Sequence, residues 1–345
     1  MAWYNASWGY RKSVTVDKTK LTADVSNFPV FLKLDDLGAD FWSAVKNGGG
    51  DIRITKSDGT TELAREIVIC NTSTSKGELH FKADSVSTST DTVFYIYYGN
   101  SGASDYAATD TYGRNNVWDS NYVGVWHMSE ANVVDSTGNG LTGTNTNSTD
   151  SASPKVGSAR TFSGSDQYIE IPAMNLSTPP ISISTWLKRN GTQGDYDGII
   201  FSRASGTVAG IHTMADHKLG YHWNNLFANF NTGHTLTDNT WEYATLAISG
   251  TNSGIMYKNG IAGTTNTDHH WPQTFAGVTY FGQDSEGGRF FAGDIDEVRI
   301  SNIARSSDWI TAEYNNQNSP STFYALGSQE SGGAAPTPIV YIIIL

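Results

Sequence analysis

Through most of this chain apolar and polar residues alternate with a period of two, and glycine, asparagine or proline breaks the alternation every few residues. Side chains on a strand point alternately to its two faces, so this pattern predicts short, half-buried strands joined by turns. Residues 11–16 alternate cleanly, and residues 28–34 form a second strand with Pro29 near its start. After the glycine run 48–50 the alternation resumes over residues 51–55. Residues 56–60 then place Asp58-Gly59 where a hairpin turn needs positive φ. Residues 77–82 and 92–98 complete a small antiparallel β-domain over residues 1–105, and the polar stretch 106–117 reads as a linker.

From Trp118 the same grammar continues to about residue 330. Strands are expected at residues 123–128, 167–172, 181–187, 198–201, 241–248 and 254–257, the last followed by an Asn259-Gly260 turn. Many strands at short spacing without helical periodicity predict a β-sandwich or jelly roll. One helix is expected, over residues 306–315, with Ser306 or Ser307 as cap and Trp309, Ile310 and Tyr314 on one face. Residues 331–345 read as a Gly/Pro linker followed by an apolar heptad that begins at Ile339 and ends at Leu345. That heptad is too short to span a bilayer and is suited to adding as a docking strand to this chain or a neighbour.

Composition narrows the function. Only 16% of residues are charged, and the net charge of −12 opposes a surface that tracks phosphates, so neither nucleic acid nor an anionic membrane is an expected partner. The single cysteine, Cys70, excludes an intrachain disulfide and sits in an apolar run as a core thiol. The first residues lack the basic and apolar segments of a secretory leader, which is the pattern expected of a protein assembled without that route.

Residues 8–12 (Trp-Gly-Tyr-Arg-Lys), 51–54 and 97–100 (Tyr-Tyr-Gly-Asn) resemble, in that order, the domain of unknown function numbered 2341. The rest of the chain resembles the laminin-G-like branch of the concanavalin A-like lectin/glucanase superfamily. The residues that carry this likeness include 134–140, 162–169, 183–186, 257–260, 293–300 and 309–317. The expected fold is therefore all-β: a small antiparallel β-sandwich domain followed by a concanavalin-like β-sandwich jelly roll over residues 118–330.

Fold alone does not confer function in such a superfamily. Glycoside hydrolysis needs two carboxyl groups roughly 5 to 10 Å apart across the bond. The Glu-x-Asp-x-x-Glu run of laminarinase-like members is missing here, and Asp294, Asp296 and Glu297 lie instead on the last strand, where relatives carry a structural acid. The chain is thus expected not to be an enzyme. His212, His217, His222, His234, His269 and His270 are expected in turns and loops without zinc-binding spacing.

The resemblance implies a structural Ca²⁺, with Asp296 as ligand, a carbonyl near Gly164, and Asp135 or Glu130 completing the set. The competing roles are that Asp135 caps its own turn and that Asp296 pairs with Arg299 or a backbone amide. It also implies sugar recognition by aromatic rings and amides in loops, for which Trp223, Trp271, Tyr221 and Asn224 are the candidates. Trp126, Trp186 and Trp241 read as core. The expected function is a surface-display protein with a lectin-like module on the exterior of a virus particle, such as a decoration protein or fibre, contacting glycan or host polysaccharide. The alternatives are a secreted or cell-surface prokaryotic carbohydrate-binding adhesin and, behind it, a glycoside hydrolase.

Overall fold

The computed structural model describes residues 2–332 except 131, 225 and 226. The first domain is a sandwich of two antiparallel sheets. One contains Tyr10–Val16, Thr92–Tyr98, Arg53–Lys56 and Glu62–Leu63, and the other contains Val25–Lys33, Lys76–Val86 and Arg65–Asn71. The turn at Asp58-Gly59 forms as the sequence predicts: Lys56 N–H donates to the Thr61 carbonyl over 2.9 Å and Gly59 takes φ +78°. Inward residues such as Val14, Phe28, Leu32, Ile54 and Phe81 pack between the sheets. Cys70 is buried beneath them, and burial, then the charge of Asp51, push its thiol up to about 12, so it is a core residue without thiolate chemistry at neutral pH.

The second domain is the expected jelly roll. An eight-stranded sheet is built around Ala292–Ser301, Ile181–Arg189 and Trp241–Gly250, and a nine-stranded sheet faces it with Tyr168–Ile171, Thr279–Phe281, Asp197–Ser202, Ala209–Thr213 and Leu219–Trp223. Trp126, Ile183, Leu187, Ile200, Phe281 and Ile295 form the core between them. The helix Ser307–Asn318 starts where the capping signal places it, with the Ser306 hydroxyl accepting from Trp309 N–H. No described helix is long and apolar enough to cross a membrane.

Two boundaries differ from the sequence reading. Tyr324–Leu326 and Glu330–Ser331 return to the first domain and pair with the edge of Tyr10–Val16, so residues 324–331 complete its sheet rather than close the jelly roll. An unpaired edge strand presents bare N–H and C=O groups, and this return satisfies them. The stretch 106–117 is packed rather than free: Tyr106 donates its hydroxyl hydrogen to Glu62, and Arg65 N–H donates to the Tyr112 carbonyl over 3.1 Å. Val117, Trp118, Tyr122, Val125 and Trp309 lie in the same apolar core as the first domain's strands. The helix fastens this junction, since Trp309 meets Phe28 edge-on at 5.2 Å and Asn316 exchanges hydrogen bonds of 2.7 and 2.9 Å with the Phe31 backbone. The apolar heptad 339–345 lies outside the described residues.

Candidate ligand face and buried interdomain cluster

The two outer faces of the jelly roll have different fates. On the eight-stranded sheet, Trp186 donates its indole N–H to Gln317 over 2.5 Å and Tyr243 donates its hydroxyl to Glu313 over 2.6 Å, so the helix covers that face. On the nine-stranded sheet a cross-strand row runs through Glu170, Tyr280, Phe201, Gly210 and His222. Around it Tyr168, Tyr196 and Phe290 are only half-buried. Tyr168 stands edge-on to Tyr280 at 5.5 Å, and His212 stacks on Phe201 at 4.0 Å.

Asp284 anchors this face. It accepts two hydrogen bonds from Arg203, at 2.7 and 2.8 Å, and one from Arg289 at 3.1 Å. Although burial opposes it, the His212 and Arg203 contacts hold the Asp284 carboxyl well below its usual range. Burial pushes His222 down to about 4, so its imidazole is neutral at physiological pH. The result is a shallow surface of aromatic rings bordered by fixed guanidinium and carboxylate groups. His212 and His222 were expected in loops; they lie on strands, because their neighbours Ile211 and Tyr221 take the inward positions.

The four sugar-contact candidates divide. Trp271 is 56% exposed, whereas Tyr221 and Trp223 are fully buried and Asn224 is nearly so. The first two belong to the inward face of the strand Leu219–Trp223 and have no ring face to offer a pyranose, which corrects their assignment. They act as scaffolding for the loop that carries Trp271. Trp223 donates its indole N–H to the Trp271 carbonyl over 2.8 Å, Asn224 donates to the His269 carbonyl over 3.2 Å, and Tyr221 meets His270 at 2.9 Å. His269 packs edge-on against the Trp271 ring at 4.0 Å.

A second constellation was not legible in sequence. Where the domains meet, Glu78 and His80 of the first face His127 and Glu297 of the second, all four nearly or fully buried. Glu78 and His80 share one face of Lys76–Val86 because they are two residues apart. Glu297 arrives through a bulge: Ser184 pairs with Arg299 and Trp186 with Asp296, so three steps along one strand oppose two along the other, and Glu297 takes φ +49°. Ile295 and Val298 stay in the core, so Asp296 and Glu297 both leave it toward the first domain.

His127 links the set. Its Nδ1 contacts Glu297 and lies 3.3 Å from Glu78, while its Nε2 lies 3.3 Å from Glu66. Glu66 also accepts from the Trp118 indole at 2.8 Å and from the Ser136 hydroxyl at 2.6 Å. Burial alone would lower His127; Glu297 and Glu66 override it and raise it well above the ordinary value. A cavity of about 280 Å³, lined by Glu66, His127, Ser136, Arg65 and Glu130 among others, opens beside the cluster.

The expected calcium ligands are not gathered. Asp135 caps its own turn, accepting from Thr137 N–H at 2.9 Å, from the Thr137 hydroxyl and from Leu141 N–H. Asp296 accepts from the backbone N–H groups of Lys155 and Val156 at 3.1 and 2.8 Å, while Arg299 pairs with Glu297 instead. Glu130 is exposed at the cavity rim and Gly164 packs on Ala292. Among the described residues, the one group of three or more His, Cys, Asp or Glu side chains at metal-ligand spacing is the interdomain set.

Comparison with known proteins agrees with this architecture. Residues 163–311 match the concanavalin A-like lectin/glucanases superfamily. Ahead of that concanavalin-like domain, residues 48–115 match the domain of unknown function DUF2341. No curated protein matches the chain. Similar solved structures include domain 4 of AbnA, a GH43 extracellular arabinanase from Geobacillus stearothermophilus, in complex with arabinotriose. It is 19% identical with a TM-score of 0.47, covering 55% of this chain and 96% of that one. The binding domain of Paraclostridial Mosquitocidal Protein 1 (12% identical, TM-score 0.47) is covered for 52% of its length by 56% of this chain. The botulinum neurotoxin serotype D/C VPI 5993 binding domain (14%, TM-score 0.45) is covered for 53% by 59% of this chain. The chain thus spans about half the length of these toxin domains.

At the margin of the open face of the concanavalin-like domain, burial raises Asp197 to about 6, although it accepts a hydrogen bond from Gly194 N–H over 2.6 Å. A carboxyl whose folded pKa exceeds its unfolded value favours folding only when protonated, so its ionisation costs stability above about pH 6 and the cost fades below about pH 4. Asp197→Asn, which keeps the acceptor oxygen, should therefore raise stability by about 1 to 2 kcal/mol at pH 8 and by nothing at pH 4. Urea unfolding at the two pH values checks this, and an equal effect at both would refute it.

Proposed function

We propose that the protein is a non-catalytic display module that binds a neutral glycan across the open face of its nine-stranded sheet. The observation that carries this reading is the contrast between the two outer faces: the helix and first domain cover one, while the other presents half-buried Tyr168, Tyr196, Tyr280 and His222 beside Arg289. Aromatic faces stack on the apolar side of a pyranose, and fixed charged groups orient its hydroxyls. The exposed Trp271 supplies a further ring at one end of the sandwich.

Binding is favoured over hydrolysis because the acidic group on the last long strand is buried. Asp294 pairs with Lys188 at 2.5 Å and accepts from Thr161, while Asp296 and Glu297 have no exposed surface. On this reading the jelly roll is the head of a protein carried on a virus-particle exterior.

A glycan array probed with the full chain tests the binding function. We expect neutral oligosaccharides to be retained, with Tyr280→Ala and Trp271→Ala each lowering affinity about tenfold, the loss of one stacking contact. Their melting temperatures should stay close to that of the parent. Silence across neutral glycans, or binding indifferent to both substitutions, would remove the proposal.

A further inference from the structure

We propose that Glu78, His80, His127 and Glu297 form a binding site for one divalent first-row transition ion of the zinc class, which ties the two domains together. Each residue offers a ligand atom, and these atoms lie within 4.8 Å of one another. Zinc binds nitrogen and oxygen at about 2.0 to 2.2 Å, which sets tetrahedral ligand atoms about 3.4 Å apart. Glu78 Oε1 already stands 2.9 Å from His80 Nε2 and 3.3 Å from His127 Nδ1, so small side-chain rotations close the set.

The charge balance calls for a cation. Five carboxylates, Glu66, Glu78, Asp296, Glu297 and Glu313, are buried here against the guanidinium of Arg299. Arg65 is committed to Asp105, while Lys155, held by Asn318 and the Trp186 ring, adds one further positive charge near Asp296. With both imidazoles neutral, as metal ligands must be, the buried carboxylates outnumber the cations, an excess of negative charge that one divalent ion offsets. The hydrogen bonding is incomplete as well: Glu78 Oε2 and His80 Nδ1 have no partner although both side chains are fully buried.

The surroundings are those of a metal centre. A ligating histidine commonly donates its other ring N–H to a carboxylate, and His127 Nε2 faces Glu66, which Trp118 and Ser136 hold in place. Two imidazoles with two carboxylates suit zinc and its first-row neighbours better than calcium, which prefers six to eight oxygens. Four protein ligands without an open position make the site structural. The cavity beside Glu66 and His127 provides a route in.

The experiment uses the full chain, stripped with chelator and titrated with zinc by calorimetry and elemental analysis. We expect one equivalent bound and a higher melting temperature. Glu297→Gln and His80→Gln should abolish stoichiometric uptake, and Glu66→Gln, a positioning change, should weaken it about tenfold. Cobalt(II) on the parent protein keeps the proposal testable if the ligand variants fail to fold. Intense visible bands of four-coordinate cobalt, saturating at one equivalent and discharged by zinc, support it. Pale six-coordinate spectra, no stoichiometric zinc uptake, or equal uptake by parent and Glu297→Gln would overturn it.

Discussion

Arg299→Met is expected to lower the free energy of unfolding by about 3 to 5 kcal/mol, the range for removing one partner of a buried charge pair. Arg299 is 2% exposed and donates to Glu297 and to Glu313, each at 2.5 Å. Methionine fills much of the space but removes the guanidinium from both buried carboxylates and leaves Glu297 only its contact with His127. Glu313 would then keep only the hydroxyls of Tyr243 and Tyr122, at 2.6 and 3.4 Å. The double variant Arg299→Met/Glu313→Gln should recover part of the loss, because a neutral amide tolerates the missing guanidinium. Both domains contribute to one apolar core through Trp118, Tyr122 and Trp309, so a single unfolding transition is expected. Urea melts of the single and double variants measure the effect; a loss below about 1 kcal/mol would mean that water reaches the cluster and solvates it.

The second large effect is expected at Trp126. Trp126→Ala should cost about 3 to 5 kcal/mol, the range for truncating a buried aromatic side chain. The ring is fully buried between the two sheets, meets Phe281 edge-on at 5.2 Å, and its indole N–H donates to the Leu141 carbonyl over 2.8 Å. Alanine would leave a cavity and an unpaired buried carbonyl together. Gly124 makes room for this ring, since any side chain there would overlap the indole. Trp241→Ala is the internal comparison: that ring is half-buried and donates to the Ser153 carbonyl near the surface, so its loss should be clearly smaller. Equal losses at the two positions would contradict the packing described here.

Trp186 shows where pattern reading succeeds and where it stops. A tryptophan among apolar neighbours was expected in the core, and it is fully buried. It lies, however, on the outer side of its sheet, against Tyr243 and Tyr314 and bonded to Gln317 of the helix. Alternation reports that a residue is covered but not by what. The same limit explains the sugar-contact candidates. Tyr221 and Trp223 sit in a segment rich in loop-forming residues, yet both turn inward, and only Trp271 reaches solvent.

The interdomain cluster left no local signal. Glu78 and His80 are an ordinary alternating pair, His127 lies in a stretch that reads as strand, and on a regular strand the adjacent Asp296 and Glu297 would point to opposite faces. The bulge that turns both acids toward the first domain depends on pairing with residues more than a hundred positions away. A conserved spacing could not have revealed it, because the four side chains come from three separate stretches of sequence.

By itself the sequence determined the strand alternation, the Asp58-Gly59 turn, the Ser306 cap and the two-part β-architecture. These follow from side-chain periodicity and backbone preference, which act over a few residues. Tertiary structure alone decided that residues 324–331 return to the first sheet and that one sandwich face is sealed while the other stays open. It also decided that five carboxylates from distant segments share one buried space. Those outcomes depend on which surfaces meet and on how the charges buried between them are balanced, and neither is encoded in neighbouring residues.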